Sequence, residues 1–211
     1  MTIVDIFRAG GVLMYPLAFA SLITVAIIIE RLINLRESRI LNDQVVFRVS
    51  ALVEANQLVK AASFCKQNPS IYTKIVMAGL ESVEKGEMQT KEAIEDAGRH
   101  ETAHLKRYLN GLGTIAAVAP LIGLLGTVIG MILVFRTIAE SGGGQAAALS
   151  NGIFQALITT ATGLLVAIPA LLAHNSFQER ADTIIQGLER ASLRLVHHLF
   201  HGEHDEHAVS K

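Results

Sequence analysis

Ala119–Phe135 reads APLIGLLGTVIGMILVF, and Gly152–Asn175 reads GIFQALITTATGLLVAIPALLAHN. Neither stretch holds an Asp, Glu, Lys or Arg, and in both together only His174, near the end of the second, can titrate. The uncharged run around the first stretch reaches back to Leu109 and ends at Arg136. A further uncharged run, Ala9–Ile29, is closed by Glu30-Arg31. A helix rises about 1.5 Å per residue, so about 20 apolar residues cross a hydrocarbon layer of roughly 30 Å. Helices on the surface of soluble proteins carry a broad polar face, and these runs do not. They predict an all-α membrane protein with three transmembrane helices, over residues 11–30, 109–136 and 153–174.

Composition agrees with this reading. The chain has 211 residues, 51% hydrophobic and 18% charged, with a formal net charge of −1. So apolar a chain is not a disordered tail, and so balanced a charge argues against a general nucleic-acid binder. A single cysteine, Cys65, excludes a disulfide scaffold and a Cys-based zinc site. Ala18-Phe19-Ala20 in the first run has the look of a signal-peptidase site. The apolar run continues beyond it to Ile29, and the basic residues follow the run instead of preceding it, so a retained span is expected.

Lys and Arg set the expected orientation. Arg8 alone precedes the first span, whereas Arg31, Arg36, Arg39 and Arg48 follow it. Lys91, Arg99, Lys106 and Arg107 precede the second, none lies in Thr137–Gly152, and Arg180, Arg190 and Arg194 follow the third. The positive-inside rule then predicts an outer-face segment at 1–10, a cytoplasmic region at 31–108, an outer turn at 137–152 containing Gly142-Gly143-Gly144, and a cytoplasmic tail at 175–211. The cytoplasmic parts show helical spacing at Leu41, Val45, Val49, Leu52 and Val53, and again at Leu58, Ala62 and Cys65. Asn68-Pro69 breaks the pattern. Ile71, Ile75, Val76 and Leu80 form a short amphipathic stretch that closes near Gly86. A helix from Met88 is expected to run directly into the second span. Ile184, Leu188, Ala191 and Leu195 give the tail one apolar stripe, expected to pack on other helices or on sister subunits.

The second and third spans are unlike ordinary anchors. Gly123, Thr127 and Gly130 share a face of one, and Ala156, Thr160, Gly163 and Ala167 share a face of the other. Gly126 and Gly130 form a GxxxG pair. Small residues let membrane helices approach closely, and Thr hydroxyls bond across helices or back to a carbonyl. Thr159, Thr160, Thr162 and Gln155 on one span, with Thr127 on the other, predict a face lining a water-accessible or partner-filled cavity, because polar groups in lipid are costly unless paired or wetted. Thr and Gln orient water but hold no titrating proton. A proton-driven device built on these spans needs its carboxylate from another chain.

At these residues the sequence resembles the MotA/TolQ/ExbB proton-channel family, closest to its ExbB/TolQ branch. YPLAFASLITVAIIIERL at 15–32, APLIGLLGTVIGMI at 119–132 and ALITTATGLLVAIPALLAHN at 156–175 are similar to the three span signatures of that branch. The resemblance implies a homo-oligomeric ring, a homopentamer, in the inner membrane of a Gram-negative bacterium. The ring would surround single-span helices of an ExbD/TolR-like partner whose helix carries an Asp. Proton passage at that Asp would drive envelope work, through a TonB-like protein in ExbB systems or for envelope integrity in TolQ systems. The family's pore threonines fall on Thr127 and Thr160, with Thr159 and Gln155 as weaker pathway candidates. Many ExbB members carry Glu where this chain has Gln155, a departure that removes a titrating site. Gly123, Gly126, Gly130 and Ala156 are expected at the partner-helix contact. No catalytic residue, cofactor or metal is expected.

Four other readings compete. A flagellar MotA stator needs four spans with its large loop between the second and third, whereas a gliding motor of the same family differs only in its load. His100-Glu101-Thr102-Ala103-His104 matches the HExxH pattern of zinc proteases. Zinc needs a third ligand, and the metzincin position for it is Asn110. His197, His198, His201, His204 and His207 are read as a solvated end. A passive scaffold would position a partner without conducting.

Overall fold

The structure, a computed structural model, describes Phe7 and residues 10–35, 40–141 and 146–201. Most of the expected outer segment at 1–10, the Gly142-Gly143-Gly144 turn, His204 and His207 lie outside the described residues. The regular elements are α1 (Met14–Asn34), α2 (Asp43–Glu54), α3 (Leu58–Gln67), α4 (Ile71–Ser82), a single 3-10 turn (Val83–Lys85), α5 (Glu87–Lys106), α6 (Leu109–Ser141) and α7 (Ala146–His201). The chain is all-α, and three of its helices are long and apolar enough to cross a membrane. The residues divide into two compact units, 1–31 with 108–176 and 32–107 with 177–211.

The first unit holds α1, α6 and the first part of α7, and its burial pattern is inverted. Large apolar side chains face outward, among them Phe19, Leu22, Leu121, Phe135, Leu157 and Leu165, the last 73% exposed. Thr24, Arg31 and Thr159 are buried instead. Such a surface is stable only against lipid or other chains. Leu17, Ala119, Val166 and Ala167 form its small core. Pro120 and Pro169 lie inside α6 and α7. A proline withholds one helical N–H, which membrane helices tolerate when neighbours satisfy the freed carbonyl.

The second unit packs α2 to α5 with the end of α7. Asn42 caps α2 by accepting from the Gln44 amide at 3.0 Å. The two apolar registers read from the sequence are two helices, separated at Asn56, whose φ is +54°. Asn tolerates that left-handed conformation better than most residues. Ser70 caps α4 through a reciprocal box with Thr73. Gly79 lies against Ile94, where a Cβ would stand 2.7 Å from Cδ1. Thr90 ties α5 back to the preceding turn, its hydroxyl 3.0 Å from both the Ser82 and the Gly86 carbonyl. Ile184, Leu188, Ala191 and Leu195 are all buried in this unit, so the predicted stripe of the tail packs within the chain.

α5 and α6 follow each other as one candidate spanning stretch, Glu87–Glu140, with a local turn at Arg107-Tyr108 between Lys106 and Leu109. Arg107 keeps helical torsions, φ −51° and ψ −47°, so the interruption is local. At the break the Tyr108 ring lies beneath the Arg31 guanidinium, 5.0 Å from it. That contact turns the tyrosine toward α1 and gives the buried cation an aromatic face.

Candidate functional site

The predicted site lies entirely in the first unit, where α6 and α7 run against each other with small residues at each level. Gly123 touches the backbone of α7: a Cβ there would be 3.0 Å from the Thr160 Cα. At Gly126 a Cβ would meet the Thr159 Cγ2 at 2.5 Å, and at Gly130 the Ala156 Cβ at 3.0 Å. At Gly163 a Cβ would meet the Ala119 carbonyl oxygen at 2.6 Å. Gly123, Gly126, Gly130 and Ala156 are thus buried in the chain's own α6–α7 contact. Glycine is required where backbones approach this closely.

The close approach brings two of the predicted hydroxyls to one level. Thr160 donates across the interface to the Gly123 carbonyl at 2.9 Å. Thr127 donates to the Leu124 carbonyl, the next along α6, at 2.6 Å. Both side chains are partly exposed. Each hydroxyl keeps lone pairs free to accept from water or from another chain. α6 and the spanning part of α7 add no ionisable side chain at this level.

The weaker candidates are placed differently. Thr159 is 1% exposed, and its hydroxyl lies 2.8 Å from the Gln155 carbonyl and 3.1 Å from the Gly10 carbonyl. The Gln155 amide abuts Gly11, whose φ is +72° and whose position would not admit a Cβ. Thr159 and Gln155 therefore meet the backbone leading into α1. Thr162 turns back to the Ile158 carbonyl of its own helix at 2.8 Å.

Sequence reading missed one contributor, Thr24, and gave no site role to two residues that it named, Gly163 and His174. Thr24, in the span taken for an ordinary anchor, is buried and donates to the Ala20 carbonyl at 2.8 Å. Gly163 is the tightest of the small-residue contacts against backbone. His174 joins α6 through Nδ1, 2.8 Å from the Leu109 carbonyl. Its signal was visible as the single titratable side chain in the two decisive stretches.

The alternative metal sites were also placed, in the second unit. Glu101 of the HExxH match is ion-paired to Lys74 at 2.9 Å, and the His100 and His104 rings meet edge to face at 5.5 Å. His197 and His201 stack at 5.3 Å, while His198 lies 3.3 Å from Glu54. Among the described residues no group of three or more His, Cys, Asp or Glu is arranged to hold a metal.

The sequence profile of the MotA/TolQ/ExbB proton channel family matches residues 67–190, which include every threonine and glycine of the α6–α7 contact. The chain belongs to that family. It is similar to the biopolymer transport protein ExbB-like 3 of Synechocystis, with 34% identity over 96% of this chain and 100% of that protein. It is similar to the biopolymer transport protein ExbB homolog of Methanothermobacter thermautotrophicus, with 31% identity over 89% of this chain and 67% of that protein. The Tol-Pal system protein TolQ of Pseudomonas aeruginosa is 34% identical over 60% of this chain and 50% of its own length. Within the MotA/TolQ/ExbB family, the α6–α7 contact of this chain is a neutral wall: hydroxyls and carbonyls line it, and no carboxylate does.

Proposed function

We propose that this protein is an ExbB-like subunit of a proton-motive-force-driven motor in the inner membrane. Copies of it, five by the family resemblance, form a ring around the single-span helices of an ExbD/TolR-like partner. The partner contributes an Asp, the titrating group that the second and third spans lack. Thr127 and Thr160 present hydroxyls along the proton path, and Thr159 and Gln155 fix the wall behind them. Gly123, Gly126, Gly130 and Ala156 serve the partner contact by holding α6 and α7 close enough to make one smooth wall. The N-terminus lies outside and the C-terminus inside, as the Lys and Arg distribution favours.

The observation that carries this reading is the pair of hydroxyls on adjacent carbonyls, Thr160 on Gly123 and Thr127 on Leu124, within otherwise uncharged spans. One elementary charge crossing 100 mV releases about 2.3 kcal/mol. That suffices to bias rotation between packings of similar energy, and a wall of Gly, Ala and Thr offers a rotating helix few large side chains to climb. The load is TonB-dependent outer-membrane transport. Growth that depends on that transport tests it: T127V and T160V each abolish it while the ring still assembles. A ring that keeps its output with both hydroxyls removed is a scaffold, and the reading fails.

A further inference from the structure

We propose that the second unit carries a contact between neighbouring copies of this chain: Phe47 of one copy seats in a groove between α5 and α7 of the next. The inference rests on the ring reading above and names the surfaces that build the ring. The groove has a volume of about 450 Å³. Ile75, Ile94, Leu188 and Val196 form its apolar floor, and each is more than nine-tenths buried. Leu193 also lines it, yet is 59% exposed. A cavity of this size and lining suits one large apolar anchor. Phe47 is such an anchor and is 76% exposed. Val49 and Val53 are the buried side of α2, and Phe47 stands about 120–160° round the helix from them, facing away from the unit.

Anchor and groove lie on opposite sides of α7 and at one level along it. Leu41, just ahead of α2, packs on Gly187, where a Cβ would stand 2.8 Å from the leucine Cδ2. Glu54, the last residue of α2, lies 3.3 Å from His198. Gly187 and His198 are about 20° apart around α7, so α2 runs beside that one face in the direction of α7. Ile185, Glu189, Ser192 and Val196 line the groove, and they centre roughly 160° away from that face. Phe47 comes about midway between Leu41 and Glu54, level with the stretch of α7 from Ile185 to Val196 that lines the groove. Complementary surfaces on opposite sides of one unit join head to tail, and contacts with no offset along the helix close into a ring instead of climbing as a filament. Charge agrees. On the α5 wall Lys91 and Glu95 stand one turn apart, and Arg99 pairs with Asp96 at 2.8 Å. The α7 wall adds Glu189, and Arg48, next to Phe47, is exposed; neither has an ion-pair partner among the described residues. Arg48 of one copy meets Glu189 of the next as Phe47 enters.

The test is cysteine cross-linking of the full chain in membranes, in a C65A background, with the single-span partner co-expressed. F47C combined with L193C should give, on oxidation, a ladder of multimers that ends at the ring, because each copy then offers both halves of the contact. F47C alone and L193C alone should give no linked species, because like halves do not meet. A linked dimer from either single variant overturns the proposal, as does a link from L193C to the single-span partner. A ring that assembles, by its mass in detergent, and gives no ladder overturns the proposal and leaves the ring reading standing; a monomeric wild-type chain overturns both. R48E and E189R should each lower the yield of the ladder several-fold, and the two together in one chain should restore most of it. Loss without restoration overturns the pairing of Arg48 with Glu189.

Discussion

Thr160 gives its hydroxyl hydrogen to the Gly123 carbonyl, 2.9 Å away on the neighbouring helix. In an α-helix that same carbonyl also accepts the amide of Thr127, so the two pathway threonines converge on one backbone oxygen. Thr127 sends its own hydroxyl to Leu124, one residue further on. The two hydroxyls thus differ in what they hold together: Thr160 links two helices, and Thr127 links nothing beyond its own.

That difference separates a structural role from a conducting one. T160V removes a cross-helix bond and should lower the stability of the folded chain by about 0.6 to about 2 kcal/mol. T127V removes only a bond within its helix and should leave stability nearly unchanged. If both line the proton path, both variants lose motor output to a similar extent. Unfolding in detergent, measured beside growth that depends on the motor, checks this. An output loss confined to T160V would assign the site to packing alone.

The glycines make a graded prediction. G163A drives a methyl to 2.6 Å from the Ala119 carbonyl oxygen, which belongs to backbone and cannot swing away. G126A meets the Thr159 side chain at 2.5 Å, which can turn at the expense of its bond to Gly10. Over-packing of this kind costs about 1–3 kcal/mol, with G163A the worse of the two. G98A on α5 meets nothing within 4 Å and should stabilise by up to about 1 kcal/mol, since alanine favours a helix over glycine. Thermal unfolding of the three variants ranks them.

Two buried groups make the second unit sensitive to alkali. Burial raises the Cys65 thiol to about 11. It raises the Tyr72 phenol to about 12, with Cys65 adding to the rise and Ser50 and Arg194 opposing it. The unfolded chain releases these protons at ordinary values of about 8.5 and about 10. The folded chain therefore holds more protons in between, and stability falls as pH rises through that window, by up to about 1.4 kcal/mol per pH unit for each group. Below about pH 8 the full contribution is present. Unfolding of the purified protein at about pH 8 and about pH 10.5 should show the loss, and C65A should reduce it. A stability that stays level over that range would contradict the burial of both groups.

The three spans were legible because lipid enforces a simple rule: long uncharged runs must be helices. The glycine and threonine spacing on α6 and α7 was legible for the same reason, since a face of small residues in a membrane helix has few uses. The interruption at Arg107-Tyr108 was not legible. No Pro or Gly marks it, and it coincides with a contact between Tyr108 and Arg31, residues remote in sequence. The same holds for Thr159 against Gly10. Periodicity shows which residues share a face, but not which other segment that face meets. The burial of the four small residues against the chain's own helix belongs to this class: a close-approach motif reads alike whether its partner is the same chain or another.

The HExxH match supplies a negative control. Glu101 is engaged by Lys74, and the match belongs to the second unit, whereas the threonines belong to the first. H100A and H104A should leave motor output unchanged, and metal analysis of the purified protein should find zinc well below one per chain. Output lost together with bound zinc would restore the metal reading.

The central claim is that this chain supplies an uncharged wall and its partner supplies the acid. Proton uptake into proteoliposomes, driven by an imposed potential, measures it directly. The ring alone should conduct nothing above the lipid background. The ring with its single-span partner should conduct, and replacing the partner's membrane Asp by Asn should return uptake to background. Equal uptake by the ring alone and by the complete assembly would contradict the account.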